Sequence, residues 1–231
     1  MRLDKFLCDT VNISRKEARD FIKKGFVSVN GMKNTDAGFN VSETSDSVLF
    51  KDNPVSYEKF IYYMLNKPSG VVSATTDASD VTVIDLLKEE GRNDLFPVGR
   101  LDKDTTGLLI ITNDGELSHH LTSPRHHVSK TYLVGIDHPL RPEDIISLEN
   151  GVELTGDGLT KPARVNVISD SNIELTITEG MYHQVKRMLA AVGNKVISLK
   201  RLSMGNVILD ESLREGAYRR LTEEEILSLK D

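Results

Sequence analysis

The stretch that decides the fold runs from Val98 to Gly115 and reads VGRLDKDTTGLLIITNDG. A strand is predicted to lead into a tight polar turn over residues 102–107. The wholly apolar, partly β-branched run Leu108–Ile111 then predicts a buried strand, and the Asn-Asp-Gly triplet at 113–115 predicts a closing turn. We expect this strand–turn–strand to hold two carboxylates at the rim of a rigid core, where reactive groups are well positioned.

The two carboxylates of this turn are Asp102 and Asp104. One interpretation is structural, because Asp and Thr in turns often hydrogen-bond to their own backbone. A calcium loop is a second interpretation, since Asp102-x-Asp104 resembles the start of one. That loop needs a bidentate Glu at its twelfth position, and the twelfth residue from Asp102 is Asn113. Calcium is therefore excluded.

The composition bounds the class of protein. A chain of 231 residues, 39% of them hydrophobic, suffices for one large domain or two small ones with real cores. No apolar run reaches the length of a membrane span, and Met1–Lys5 does not open a secretory signal. The single cysteine, Cys8, excludes an internal disulfide framework and a cysteine-based zinc site. We expect a cytoplasmic protein without a membrane partner.

The charge is unevenly distributed. The net charge is −6, yet residues 1–34 contain eight Lys/Arg against four Asp/Glu. Residues 119–132 carry a Lys, an Arg and four His without an acid, and residues 181–201 carry five Lys/Arg without an acid. Three basic segments on an acidic chain indicate a selective site for a polyanion rather than general affinity for polyanions.

The N-terminal segment predicts two helices and a small hairpin sheet. Apolar residues at helical spacing start at Leu3, Ser14-Arg15-Lys16-Glu17 is a capping box, and Asn30-Gly31 is a strong hairpin turn. The strings RLDKFL and SRKEARDFIKKGFVSVNG resemble the S4 RNA-binding domain. This resemblance implies RNA backbone contacts from the basic face of the second helix, namely from Arg15, Lys16, Arg19 and Lys23.

A polar linker predicted from Asp52 to Lys59 separates this segment from a second domain. Strands dominate there, and helices intervene irregularly, which favours an α+β fold with a mainly antiparallel, mixed sheet. We place the domains at residues 1–58 and 59–231. The predicted strands include Phe60–Leu65, Val71–Ser73, Lys130–Ile136, Ala163–Ile168, Ile173–Thr178, Val196–Leu202 and Val207–Leu209, and the predicted helices Val81–Glu90, Glu116–Leu121, Pro142–Glu149 and Tyr182–Val192.

Motifs for common cofactors are missing from the sequence. There is no Gly-x-Gly-x-x-Gly after a strand, no phosphate-binding P-loop and no nucleophile elbow. The pairs His119-His120 and His126-His127 do not have metal-ligand spacing, because adjacent side chains point apart and no acidic third ligand follows. We therefore expect chemistry by carboxylate, hydroxyl and cation, with no cofactor and no metal.

Three strings resemble the RsuA branch of pseudouridine synthases: GRLDKDTTGLLIITNDGELSHHLTSPRHHVSKTYLV, TKPA at 160–163 and EGMYHQVKRMLAAVGNKV at 179–196. The S4 domain followed by a catalytic domain is the same plan, so the resemblance covers nearly the whole chain. It implies an isomerase that detaches uracil from its ribose, turns it and rejoins it through carbon. The implied target is uridine 516 of 16S rRNA in standard numbering.

The resemblance also assigns roles in catalysis. It places the nucleophile on Asp102 and leaves Asp104 to fix the turn. Lys186 matches the basic partner of the nucleophile, with the adjacent Arg187 as the alternative, since a Lys supplies charge but not a bidentate fork. Tyr132 matches the active-site tyrosine, whose ring stacks on the target base.

Further residues are implied to bind RNA. Arg100 precedes the nucleophile and would help to turn the target nucleotide out of its helix. The loop containing Arg125 and His126, together with Lys130, would bind flanking phosphates, and Arg187 is also expected to bind RNA. The turn Asn66–Pro68 also matches a family turn near the active site, and we interpret it first as structural.

Two alternatives stay open. The same chemistry would serve a uridine of the large-subunit rRNA, and a non-catalytic RNA-binding factor for ribosome assembly would share the basic segments. We expect 16S rRNA or the assembling small subunit as partner, and a monomer. The sequence leaves open whether Asp102 attacks C1′ or the base.

Overall fold

The computed structural model describes residues 1–11 and 13–230, which separate into two compact units. The first consists of Met1–Ile61 together with Leu87–Asp94, and the second of Tyr62–Leu86 together with the chain from Leu95 onward. None of the helices in these residues is long and apolar enough to span a bilayer.

The first unit packs two helices on a small antiparallel sheet. Its elements are α1 (Leu3–Val11), α2 (Arg15–Lys23), β1 (Val27–Val29), β2 (Met32–Lys33), β3 (Val48–Phe50) and β4 (Asn53–Val55), with the sheet in the order β2-β1-β3-β4. The predicted capping box starts α2, since Ser14 Oγ accepts from the Glu17 amide and Glu17 accepts from the Ser14 amide. Asn30 and Gly31 both have positive φ, as the predicted hairpin turn requires.

Part of the predicted linker is a strand. Residues Asn53–Val55 pair with β3 as β4, which lies at the edge of the sheet. Pro54 lacks an amide hydrogen, and an edge strand tolerates that because one side of it needs no ladder partner. The composition of this segment indicated a linker, but its edge position allows a strand.

Asp4 joins the two helices of this unit. It is fully buried, and its carboxylate accepts from Arg2 Nε and Arg19 Nε, both at 3.1 Å. The hydrogen bond from Arg2 is the main cause that lowers the pKa of Asp4 to about 2, against the opposing effect of burial. Arg19, expected to bind RNA, therefore also has a structural ion pair.

The second unit contains most of the regular structure of the chain. Its strands are β5 (Tyr62–Lys67), β6 (Phe96–Pro97), β7 (Thr106–Thr112), β8 (Lys130–Ile136), β9 (Glu153–Leu154), β10 (Gly158–Leu159), β11 (Arg164–Ser169), β12 (Asn172–Ile177), β13 (Val196–Met204), β14 (Val207–Ile208) and β15 (Tyr218–Arg220). Its helices are α3 (Gly115–Thr122), α4 (Pro142–Asn150), α5 (Gln184–Ala191) and α6 (Glu223–Ser228).

Nine of these strands form one sheet, with the order β11-β12-β8-β13-β7-β5-β15, while β14 pairs with β13 and β6 with β7. All the pairs are antiparallel except β7 with β13. This confirms the predicted α+β fold with a mainly antiparallel, mixed sheet. At the parallel pair, Gly107 has a φ of 99°, and a Cβ there would collide with the backbone of Arg201.

Several predicted elements differ. Residues 81–90 contain only a kinked 3-10 helix at Asp85–Glu90, and Val71–Ser73 makes a single bridge at Val72 instead of a strand. The triplet at 113–115 does not close a turn; the Asp114 side chain caps α3 by accepting from the Leu117 amide at 3.1 Å. An Asx side chain before an apolar run signals a helix start as well as a turn.

Candidate active site

The turn before β7 is held by a buried lysine. Lys67, at the end of β5, is fully buried, and its Nζ donates to the carbonyl oxygens of Thr105 at 2.9 Å, Asp102 at 3.1 Å and Lys103 at 3.3 Å, as well as to Pro68 at 3.1 Å. Burial lowers the pKa of Lys67 to about 8, against the attraction of Asp104 and Asp102. One cation thus fixes the backbone of the turn from Asp102 to Thr105.

Neighbouring segments fix the same turn. Ser73 Oγ donates to the Leu101 carbonyl at 2.9 Å and accepts from the Leu101 amide at 3.0 Å. The Gly70 amide donates to the Lys103 carbonyl at 2.8 Å. Asn66 and Lys67, predicted as part of a turn, instead end strand β5, and they and the chain that follows position the two acids of the central motif.

Asp102, Asp104 and Lys186 form a cluster of two carboxylates around one ammonium. Lys186 Nζ lies 3.0 Å from Asp102 Oδ2 and 2.7 Å from Asp104 Oδ1. Asp102 is about a quarter exposed, whereas Asp104 is 68% exposed. The hydrogen bond from Lys186 lowers the pKa of Asp104, and the two carboxylates raise the pKa of Lys186 despite its burial. The cluster therefore places a cation beside the carboxylate of Asp102.

The alternative partner, Arg187, faces elsewhere. Its guanidinium pairs with Asp157 and donates to the Thr155 carbonyl at 2.8 Å. On a helix, consecutive residues point about 100° apart, so Lys186 and Arg187 cannot both face one carboxylate. The structure places Lys186, not Arg187, against Asp102.

Two residues near Asp102 were not predicted. His183 Nε2 lies 3.4 Å from Asp102 Oδ1, and Tyr182 stacks on the His183 ring at 3.8 Å with an interplanar angle of 20°. His183 has a φ of 48°, a left-handed conformation immediately before α5, and Tyr182 is 73% exposed. Both residues were predicted to lie within the helix Tyr182–Val192. Instead, the left-handed backbone of His183 ends the chain's approach to α5, and the His183 imidazole lies beside the Asp102 carboxylate.

Asp102 lines a cavity of about 140 Å³. Tyr132 from β8 and Leu199 from β13 also line it, and Arg100 lies at its exposed side. The predicted nucleophile and the predicted stacking tyrosine therefore share one cavity. Arg100 borders a second, wider cavity as well, whose walls include Tyr182.

Lys130 lies in this cavity instead of on an RNA-facing loop. Its side chain is buried, its Nζ donates to the Val128 carbonyl at 2.8 Å, and it lines the cavity with Arg201. Burial, followed by the nearby Arg201, lowers the pKa of Lys130 to about 8. The expectation that Lys130 binds flanking phosphates stays a prediction, and its burial places the ammonium at the cavity instead of on the outer surface.

The remaining predicted RNA contacts are on the surface of their units. Arg125 and His126 are exposed on the loop before β8, with the His126 ring 4.3 Å from that of His120. Arg15, Lys16, Arg19 and Lys23 are exposed on α2. Among the described residues, no group of three or more His, Cys, Asp or Glu could hold a metal ion.

The carboxylate paired with an ammonium at the wall of a cavity, beside the mixed sheet, is the candidate active site. Residues 61–191 match the description of the RNA pseudouridylate synthases, and residues 1–48 match the S4 domain. The chain belongs to the RNA pseudouridylate synthase family, whose members are isomerases, and it carries an S4 domain at its N-terminus.

Relatives share this plan over the full length. An uncharacterised RNA pseudouridine synthase, YtzG, of Bacillus subtilis is 50% identical and covers 100% of this chain and 99% of its own. The ribosomal small subunit pseudouridine synthase A of Vibrio cholerae is 46% identical, covering 99% of both chains. A crystal structure of a pseudouridylate synthase, 42% identical, superposes with a TM-score of 0.70 over 99% of both chains.

Proposed function

We propose that this enzyme converts one uridine of 16S rRNA, uridine 516 in standard numbering, to pseudouridine, with Asp102 as the nucleophile. The observation that carries the proposal is the position of Asp102, whose carboxylate meets the Lys186 ammonium at 3.0 Å and lines the same cavity as Tyr132. A carboxylate held as an anion beside an enclosed base is what the detachment of uracil requires.

The reaction needs no co-reactant. The bond between C1′ and N1 breaks, the uracil turns within the cavity, and a bond between C1′ and C5 forms. The proton lost from C5 is balanced by one gained at N1. Asp102 forms and later releases a covalent bond to the nucleotide. Lys186 stabilises the negative charge of the Asp102 carboxylate when that bond breaks. The Tyr132 ring covers the base during the turn.

The target base must leave its helix to enter the cavity, at a cost of a few kcal/mol. Arg100 is exposed at the mouth of the cavity, where its guanidinium can hold a phosphate of the extruded nucleotide. The exposed cations of α2 and of the loop with Arg125 and His126 would bind the RNA backbone around the target.

The choice of small-subunit rRNA rests on the full-length relatives whose names specify that subunit. The substrate would be 16S rRNA or an assembling small subunit. We also expect a monomer, because Asp102, Tyr132 and Lys186 form the site without a residue from a second chain. Because the proposed substrate is ribosomal RNA, we expect the enzyme to act in the cytoplasm.

The test compares the wild type with Asp102→Asn on 16S rRNA transcripts and on assembling small subunits, with pseudouridine mapped at each position. We expect conversion at one site and its loss in the variant. Asp80→Asn is the matched control, because Asp80 pairs with Lys103 on the surface. Activity that survives in Asp102→Asn would remove the nucleophile assignment. Conversion of a large-subunit uridine alone would redirect the substrate, and binding without conversion would indicate a non-catalytic factor.

A further inference from the structure

Two residues that line the cavity with Asp102 each carry a buried polar atom without a hydrogen-bond partner. The atoms are Nη2 of Arg201 and Oγ1 of Thr105, and only one further such atom, Asn66 Oδ1, occurs in the part of the chain that the structure describes. Arg201 is 2% exposed and Thr105 is 1% exposed. A buried donor left without an acceptor is unfavourable, and more so when it is charged, so these atoms indicate a ligand that completes them.

The guanidinium of Arg201 is fixed in place. Its Nε donates to the Leu108 carbonyl of β7 at 2.7 Å, across the parallel pair in which Arg201 is opposite Gly107. Since Gly107 has no Cβ, the two backbones approach closely there. This bond orients the guanidinium but leaves Nη2 free, and no ion pair among residues 1–11 and 13–230 engages Arg201.

The chemistry of the ligand follows from these donors. A guanidinium only donates hydrogen bonds, and the neighbouring Lys130 ammonium only donates as well. The ligand side must therefore offer acceptors, whereas the Thr105 hydroxyl can both donate and accept. Uracil presents this pattern along one edge, where two carbonyl oxygens flank the N3–H group.

We propose that Arg201 and Thr105 recognise the target uracil. Arg201 Nη2 donates to a carbonyl oxygen beside N3, and Thr105 Oγ1 accepts from the N3–H group. The proposal rests on the function proposed above. A half-turn of uracil about its N3–C6 axis exchanges N1 with C5 and also exchanges the two carbonyl oxygens. The same two side chains therefore hold the base before and after it turns.

The test combines protein variants with modified bases in single-turnover assays that follow release of tritium from C5. The substrate is an rRNA fragment with uridine, 2-thiouridine or 4-thiouridine at the target. Sulfur is a weaker acceptor, so the wild type should react more slowly with the thio bases. Arg201→Met should be roughly 10- to 100-fold slower on uridine and should have lost most of the discrimination against at least one thio base. Lys200→Met changes the neighbouring residue on β13. It is the control and should keep the discrimination against the thio bases.

Thr105→Val provides an independent measurement. Because it removes a buried hydroxyl that has no partner, the midpoint of thermal unfolding should stay the same or rise while the rate on uridine falls several-fold. Arg201→Leu, which also removes the donors, serves if Arg201→Met does not fold. Unchanged thio discrimination in an active, folded Arg201 variant overturns the inference alone. A wild type that converts no uridine in any RNA overturns the proposed function and the inference with it.

Discussion

Replacing Lys67 by methionine should loosen the turn that presents Asp102. The Lys67 side chain is fully buried and donates to four carbonyl oxygens at 2.9 to 3.3 Å. Methionine has a similar length and fills the same space without a polar group. The substitution therefore removes the hydrogen bonds and leaves the volume nearly unchanged.

The magnitude follows from two opposing effects. Three N–H groups of a charged donor contribute about 1.5–3 kcal/mol each when their acceptors are buried. Against this, the variant no longer buries an ammonium, a cost reflected in the pKa of Lys67 near 8 and worth roughly 3 kcal/mol. The net loss is about 1.5–6 kcal/mol of unfolding free energy, or roughly 3–24 °C in the melting temperature of this unit. A displacement of Asp102 by 1 Å would lower the rate about 100-fold.

Thermal unfolding and single-turnover pseudouridine formation measure the two effects. Lys103→Met is the control for stability, since Lys103 lies on the same turn but its ammonium makes an exposed ion pair with Asp80 at 2.7 Å, worth at most about 1 kcal/mol. A Lys67→Met protein that melts with the control and keeps the wild-type rate would refute the assignment of Lys67 as the support of the turn.

Two other substitutions test the charged clusters. Lys186→Met should lower the single-turnover rate roughly 100- to 1000-fold, because it removes the cation beside Asp102. Lys186→Arg keeps the charge and should retain more of the rate. Equal losses of rate in the two variants would argue against an electrostatic role for Lys186. Asp4→Asn should destabilise the first unit by about 1–2 kcal/mol at pH 7, because the folded pKa of Asp4, about 2, is below its unfolded value. This contribution to stability is fully present above the unfolded pKa and is lost as the pH falls from about 4 to 2. The variant and the wild type should therefore differ in melting temperature at pH 7 and less at pH 2.5. An equal difference at both pH values would exclude the ion pairs of Asp4 as the cause.

The strands around the site were predictable because their side chains are sorted by burial. The run Leu108–Ile111 is wholly apolar and forms the buried part of β7, and β8 has the predicted bounds Lys130–Ile136. The resemblance then supplied the roles of Asp102, Tyr132 and Lys186. What it did not supply was which other side chains face them.

The missed residues depend on register and on single backbone angles. Arg201 follows Leu199 at the two-residue period of a strand, so a cation at a core-facing position was the signal that could have found it. The same period relates Lys130 to Tyr132 on β8. His183 carried no such signal, because its contact with Asp102 depends on a left-handed φ just before α5 that periodicity does not encode.

The carbonyl oxygens around Lys67 resemble the shell that a loop builds around a dissolved cation. Here the cation is the Lys67 ammonium, which is covalently attached to the chain. Its effective concentration at the carbonyl oxygens is therefore set by the side chain and not by the ions in solution. The geometry of the turn is for this reason indifferent to chelators and to the supply of ions. It depends instead on the charged amine of Lys67. Any modification that neutralises this amine before the chain folds would leave the surrounding carbonyl oxygens without their cationic donor.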